Sequence, residues 1–448
     1  MFEGRKQELQ FLEAHCQGED SRILVLYGRK GVGKTALLKE FAQGRNCAYY
    51  CARSGSEREQ RFQWTRELAA QGYFMEAFPS YQTLFETCLS PFYGSKGKSI
   101  LILDEFQHFI KADPDFMTAL VNFTEEREKT APVVVILCSS ASGWVENSMI
   151  AKMGRAAASI DALLKVRELK FREIREIFPG FSERDAIGIY AALGGNPGLW
   201  SSLSQDLSAK ENIIQFLLTP GSRLHEEVAL YMAEELRETA VYNTLLATMA
   251  SGVSKLNDLF VHTGFSRAKI SVYLKNLMEL DLVEKVYSFE SGGYENTQKG
   301  IYRICNSYVH FYFRFLYPYQ SALQLLRPGE FYTRYVVPGY GEFLENAYRR
   351  ICWESLECSV FGEWMGKNGV IDIVAKTNSG ELITALCRYG APVTERDYQN
   401  LMMCLKQAKL NPDKILLFAE SGLSREMVEM TKRSNISPIK LFGPENEE

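Results

Sequence analysis

Unbroken apolar runs alternate with longer amphipathic stretches over the first 200 residues. Ile23-Leu24-Val25-Leu26-Tyr27 is followed by Cys47-Ala48-Tyr49-Tyr50, then Ile100-Leu101-Ile102-Leu103, then Val133-Val134-Val135-Ile136-Leu137. A strand with one face in water alternates apolar and polar positions. A run without alternation is covered on both faces, as in a parallel sheet between helices. The pattern predicts four buried parallel strands, with Val166-Arg167-Glu168-Leu169 as a fifth at the edge.

After Gly194-Gly195-Asn196-Pro197-Gly198 the pattern turns mostly helical. Between 239 and 287, Val241, Leu245 and Leu246 fall at helical spacing, and so do Leu256, Leu259 and Phe260. Ser266 is placed to cap a helix over 267–280. Leu282-Val283-Glu284-Lys285-Val286 reads as a strand, Ser291-Gly292-Gly293 as a hairpin tip and Ile301-Tyr302-Arg303-Ile304 as the return. Helices followed by a hairpin make a winged helix-turn-helix. The aromatic stretch Tyr308, Phe311, Tyr312, Phe313, Phe315, Tyr317 reads as packing between domains, because it is dense rather than spaced with cations. Further apolar runs at 371–375, 382–387 and 414–418 predict a second sheet with its own helices.

At roughly 150 residues per domain, 448 residues suggest about three domains. The expected boundaries are an α/β core at 1–190, a helical segment at 191–238, the winged helix at 239–306, an aromatic connector at 307–330 and a C-terminal domain at 331–448. Hydrophobic residues are 46% and charged residues 24%, which excludes a disordered or collagen-like chain. The formal net charge of -4 leaves only a local basic surface as an argument for nucleic acid. No apolar segment follows Met1, and no run approaches the length that spans a bilayer. The ten cysteines form no paired CxxC set and the five histidines no HExxH spacing. A reducing cytoplasm, no membrane, no structural zinc and no disulfides are expected.

Gly28-Arg29-Lys30-Gly31-Val32-Gly33-Lys34-Thr35 fits G-x-x-x-x-G-K-[ST] between a strand and a helical segment that starts with Ala36. Glycines let the loop backbone curl with its N–H groups inward, and the helix N-terminus adds positive potential. Lys34 is expected to reach the β- and γ-phosphates of a nucleotide and Thr35 to ligate Mg²⁺; that the nucleotide is ATP is what the resemblance given below implies. Asp104 and Glu105 close the third apolar run. Asp104 is expected to hold Mg²⁺ through water, and Glu105 to orient or deprotonate the attacking water. Ser139, at the end of the fourth run, is a candidate γ-phosphate sensor, with a helix cap as its alternative. Arg155 is a candidate charge-stabilising arginine, acting within the chain or across a subunit boundary; an ordinary surface position is its alternative.

Phe2-x-Gly4-Arg5-x-x-Glu8-Leu9, the phosphate loop, Leu103-Asp104-Glu105-Phe106-Gln107 and Gly194-Gly195-Asn196-Pro197 together resemble the archaeal-type ATPases of the AAA+/STAND group. The winged-helix segment and the aromatic stretch extend the resemblance. It implies an AAA+-like core with a helical lid, Gly4 and Arg5 near the adenine, and Pro197 at the start of the lid. It also implies a C-terminal domain similar to the restriction-endonuclease-like fold. Members resembling that fold carry a helix Glu, a strand Asp and then Glu-x-Lys on the next strand, the acids for metal and the lysine as a base. Here Glu345 and Asp372 match, but the last pair reads Leu386-Cys387-Arg388. Leu386 offers no oxygen to Mg²⁺, and Arg388 is a poor base. A nuclease-like fold without phosphodiesterase activity is therefore expected.

Arg267, Lys269 and Lys275 lie on the expected recognition helix, but Glu279, Asp281 and Glu284 follow closely. The reading is a Mg²⁺-dependent ATPase that couples nucleotide state to domain movement. The alternative is a slow nucleotide-gated switch that binds DNA, a protein partner or a second copy. A DNA-processing enzyme is the third reading, suggested by the tail alone.

Overall fold

The computed structural model describes residues 4–128, 130–236, 238–289, 300–367, 369–432, 436–439 and 441. Phe2 and the expected hairpin tip at 291–293 lie outside the described residues. Two units separate: unit 1 is Met1–Leu169 with Asn196–Gly198, and unit 2 is Lys170–Gly195 with Leu199–Glu448.

Unit 1 is built on five parallel strands: β1 (Arg22–Tyr27), β2 (Asn46–Cys51), β3 (Ser99–Asp104), β4 (Val133–Ser139) and β5 (Ala162–Lys165). Their order is β2-β3-β4-β1-β5. Every residue of β3 and β4 is buried, which is why neither run alternates. One face carries an aromatic core in which Trp64 stacks on Tyr50 at 4.2 Å and Phe109 on Phe116 at 4.4 Å. Leu12, Leu37, Leu38 and Phe41, from the helices Lys6–Cys16 and Lys34–Ala42, cover the other face.

The fifth strand is Ala162–Lys165, not the expected 166–169. As an edge strand it is only partly covered, so its sequence carries no continuous buried run. Val166 lies past its end; its N–H donates to the Tyr27 carbonyl at 2.7 Å and its side chain joins the core.

In unit 2, the helices Thr239–Ala250, Leu256–Thr263 and Arg267–Glu279 precede the antiparallel pair β6 (Val283–Val286) and β7 (Ile301–Ile304). Ser266 caps the third helix by accepting from the Lys269 N–H, as its position implied. The aromatic stretch is buried: Phe311, Phe313 and Phe315 are at most 2% exposed, and Phe315 meets Phe343 of the helix Val337–Glu354 at 4.9 Å.

The second sheet comprises β8 (Val360–Met365), β9 (Val370–Lys376), β10 (Leu382–Arg388), β11 (Lys414–Ala419) and β12 (Ile436–Ile439), ordered β12-β11-β10-β9-β8. β8, β9 and β10 run antiparallel, while β10, β11 and β12 run parallel. The two outer strands were not legible: Val360 is exposed at the start of β8, and β12 is four residues long. No helix among the described residues is long and apolar enough to cross a membrane.

Candidate nucleotide site

β1 delivers the chain into the turn that starts at Gly28. The Gly28 N–H donates to the Ser139 carbonyl at 3.2 Å, which ties the loop to the end of β4. A Cβ on Gly28 would sit 2.2 Å from the Val166 carbonyl oxygen, so no other residue fits without moving backbone. Gly31 and Gly33 adopt φ of 84° and 99°, a region that costs other residues energy. No side chain caps the helix Lys34–Ala42 at Gly33, so its first N–H groups are left for a ligand.

Lys34 is 6% exposed, and its Nζ donates to the Gly28 and Arg29 carbonyls at 2.7 and 3.1 Å. Burial lowers its pKa, and the charges of Glu105 and Asp104 oppose that shift. The ammonium thus waits inside the loop, within the field of both acids. Thr35 and Ala36 are exposed at the helix start, Lys30 is exposed on the loop, and Val32 is buried beneath it. Arg29 pairs with Glu168.

Asp104 is 5% exposed at the end of β3. Its Oδ1 accepts from the Glu105 N–H at 2.9 Å and its Oδ2 from the Tyr49 hydroxyl at 2.7 Å. Burial and the hydrogen bond to Asp104 both push the Tyr49 phenol up, so it stays protonated and donates. Glu105 holds φ of 52°, a strained angle for a residue with a side chain. Its Oε2 accepts from Ser140 N–H at 3.0 Å, Ser140 Oγ at 2.8 Å and Gln107 Nε2 at 2.6 Å. β4 lies between β3 and β1, and the held carboxylate is near enough to the loop for its charge to act on Lys34.

Three elements brace the loop. Arg5, 5% exposed, donates to the carbonyls of Val32 and Arg167 at 2.7 Å each and pairs with Glu8 at 2.7 Å. Asn196 Nδ2 donates to the Lys30 carbonyl at 3.1 Å, and the Gly198 N–H to the Gly31 carbonyl at 3.0 Å. Between them Pro197 lies beside Gly33, its Cγ 3.7 Å from where a Cβ would stand. Gly4 precedes the first helix with φ of 80°.

The structure therefore brings the loop, Asp104, Glu105, Arg5 and Pro197 together. Ser139 is fully buried and its Oγ accepts from the Ala141 N–H at 3.1 Å, while its neighbour Ser140 holds Glu105. Arg155 is exposed on the turn Gly154–Ser159 and, among the described residues, bonds to none of the others. Tyr49, Gln107, Ser140 and Asn196 were missed as members of the site. A tyrosine within a strand and a serine after one carry no motif.

The residues fit a nucleotide with magnesium. The glycine cradle is one that a Cβ would fill, and the helix start is uncapped. Thr35 and Asp104 are hard oxygen donors, and Mg²⁺ commonly takes one or two protein oxygens beside phosphates and water. A parallel α/β sheet with this loop after β1, between β4 and the edge strand β5, defines a P-loop NTPase domain. Residues 2–203 match the model of a family described as an ATPase domain predominantly from Archaea.

The chain is 23% identical over 394 residues to an uncharacterized protein of Methanocaldococcus jannaschii, covering 84% of each. It is 44% identical over 45 residues to an uncharacterized ATP-binding protein of the same organism, covering 10% of this chain and 76% of that one. Among solved structures, a Walker-type ATPase of Pyrococcus abyssi aligns with 15% identity and a TM-score of 0.49, over 70% of this chain and 96% of that one.

Glu345, Asp372 and Arg388 lie in one charge cluster with Arg349 and Asp397. Arg349 Nε lies 2.8 Å from Asp372 Oδ1, and the Cys387 N–H donates to Asp372 Oδ2 at 2.9 Å. Arg388 pairs with Asp397 and stands 3.7 Å from Glu345. Burial raises the Asp372 pKa, and Arg349 opposes the shift. Cations from the chain itself occupy the surroundings of both carboxylates.

Proposed function

We propose that this chain is a Mg²⁺-dependent ATPase whose nucleotide state is passed to the lid, winged-helix and C-terminal parts. The observation that carries the reading is Lys34 held inside a glycine cradle, with Asp104 and Glu105 acting on its charge. Lys34 and the loop amides hold the phosphates, and Thr35 and Asp104 hold the metal. Bound Mg²⁺ would neutralise charge developing on the β- and γ-oxygens. Glu105, fixed by Ser140 and Gln107, orients the attacking water and accepts its proton. Asn196–Gly198 groups with unit 1 while the chain on both sides groups with unit 2. A shift of the loop on binding is therefore handed along the backbone to Gly195 and Leu199.

Steady ATP turnover that disappears in Glu105→Gln supports this reading. Tight nucleotide binding with negligible turnover favours the switch instead. One observation favours that second reading: the Glu105 oxygen facing Ser140 already accepts from three donors and must keep or exchange them during each cycle. Mg·ATP at about 100 times Kd should stabilise the wild type by about 2.7 kcal/mol, and Lys34→Ala should lose that gain.

DNA contact through the winged helix is the weaker partner proposal. Arg267 bonds Asn257 at 2.9 Å and lies over the Phe260 ring, and Lys275 pairs with Glu279 at 3.7 Å. The foot of the wing is also engaged: Ser288 bridges to Glu363 of β8, and Phe289 packs on the core of the second sheet. Few cations remain to displace counterions, so binding would be weak and salt-sensitive. A protein partner or a second copy suits the same surface with less dependence on charge.

A further inference from the structure

We infer that Tyr49 is a positioning residue for the metal: its hydroxyl fixes the orientation in which Asp104 meets Mg²⁺. The inference rests on the ATP-binding reading of the site and adds to it a residue that no motif marks. β2 pairs with β3 so that Cys51 lies opposite Asp104 and Tyr49 opposite Ile102. Tyr49 is then the diagonal neighbour of Asp104 on the same face, a separation that a long aromatic side chain spans. Its O–H reaches Asp104 Oδ2 at 2.7 Å, while Oδ1 takes the Glu105 N–H.

Both carboxylate oxygens are thus pinned, and the group is 5% exposed, so water has little access to take over either contact. The Cys138 thiol makes a further hydrogen bond to Asp104, and the lone pairs that stay open serve the metal's water shell. Without the phenol, Oδ2 loses that donor, and the carboxylate is held by the Glu105 N–H and the Cys138 thiol alone. The carboxylate then turns toward another positive group, and the Lys34 ammonium already feels its charge. Hydrogen-bond partners of metal-binding carboxylates commonly govern affinity in this way.

Tyr49 is also 47% exposed on a strand whose outer edge pairs with no other described strand. Removing one oxygen from so open a ring leaves the core intact, which makes Tyr49→Phe a clean test. The probe is the fluorescent analogue mant-ATP, titrated into the full chain with Mg²⁺ and again with EDTA. Affinity in EDTA should be unchanged. The gain that Mg²⁺ confers should shrink about tenfold, the low end for loss of such a partner. In an Asp104→Asn background, Tyr49→Phe should have no further effect. An undiminished Mg²⁺ gain overturns the inference, as does an equal loss in the Asp104→Asn background. A wild-type chain that binds no mant-ATP at all overturns the nucleotide reading itself, and this role with it.

Discussion

Replacing Arg5 with Met should weaken unit 1 and its phosphate loop together. The guanidinium is 5% exposed and makes three contacts at 2.7 Å: the Val32 carbonyl, the Arg167 carbonyl and Glu8. Methionine matches the stem but donates nothing. The buried Val32 carbonyl and the part-buried Arg167 carbonyl lose charge-assisted donors, each worth about 1.5–3 kcal/mol at most, and Glu8 loses its partner. Water reaching the gap recovers part of this, so a net loss of about 3 kcal/mol is expected. For a domain of this size that lowers Tm by roughly 6–12 °C. Val32 sits in the phosphate loop, so ATP affinity should fall as well. Arg5→Lys, with one compact ammonium, reaches fewer of the three acceptors and should lie between. Calorimetry and an ATP titration on the three proteins suffice. If Arg5→Met melts within about 1 °C of the wild type and binds ATP equally well, the brace is not what holds the loop.

Gly28→Ala should abolish nucleotide binding and cost about 2–3 kcal/mol of stability, since its Cβ would meet the Val166 carbonyl oxygen at 2.2 Å; an alanine variant that binds ATP normally refutes the close approach. His310 packs on Phe343, and burial, reinforced by Arg314 and Arg303, depresses its pKa to about 4. Its folded pKa is below its unfolded value, so the unfolded chain takes up the proton first. Stability should therefore fall as pH drops from about 6.5 to 4, by at most about 3 kcal/mol, and His310→Phe should flatten that part of a urea-midpoint profile. The second sheet should not cleave DNA with Mg²⁺ or Mn²⁺, because Arg349 and Arg388 already face its carboxylates; cleavage that disappears in Asp372→Ala refutes this.

The first four strands, the phosphate loop, the acidic pair after β3 and the Ser266 cap were legible in the sequence because each depends on neighbours along the chain. A fully covered strand must be apolar throughout, and a loop that wraps phosphate needs glycine at set intervals. Such local constraints leave a continuous signature. The edge strands β5, β8 and β12 left none, since partial exposure relaxes the demand for apolar residues; β2 is an edge strand too, only half-buried rather than buried as expected, and was legible because Cys47-Ala48-Tyr49-Tyr50 is apolar all the same.

Tertiary structure alone decided how the loop is braced and how its acids are aimed. Arg5 meets Val32 and Arg167, and Asn196 meets Lys30, across separations that no spacing rule covers. Tyr49 and Asp104 are diagonal neighbours only because β2 and β3 pair in one register. The chemical groups are therefore written in short motifs, whereas their orientation comes from hydrogen bonds that exist only once the strands have found their partners.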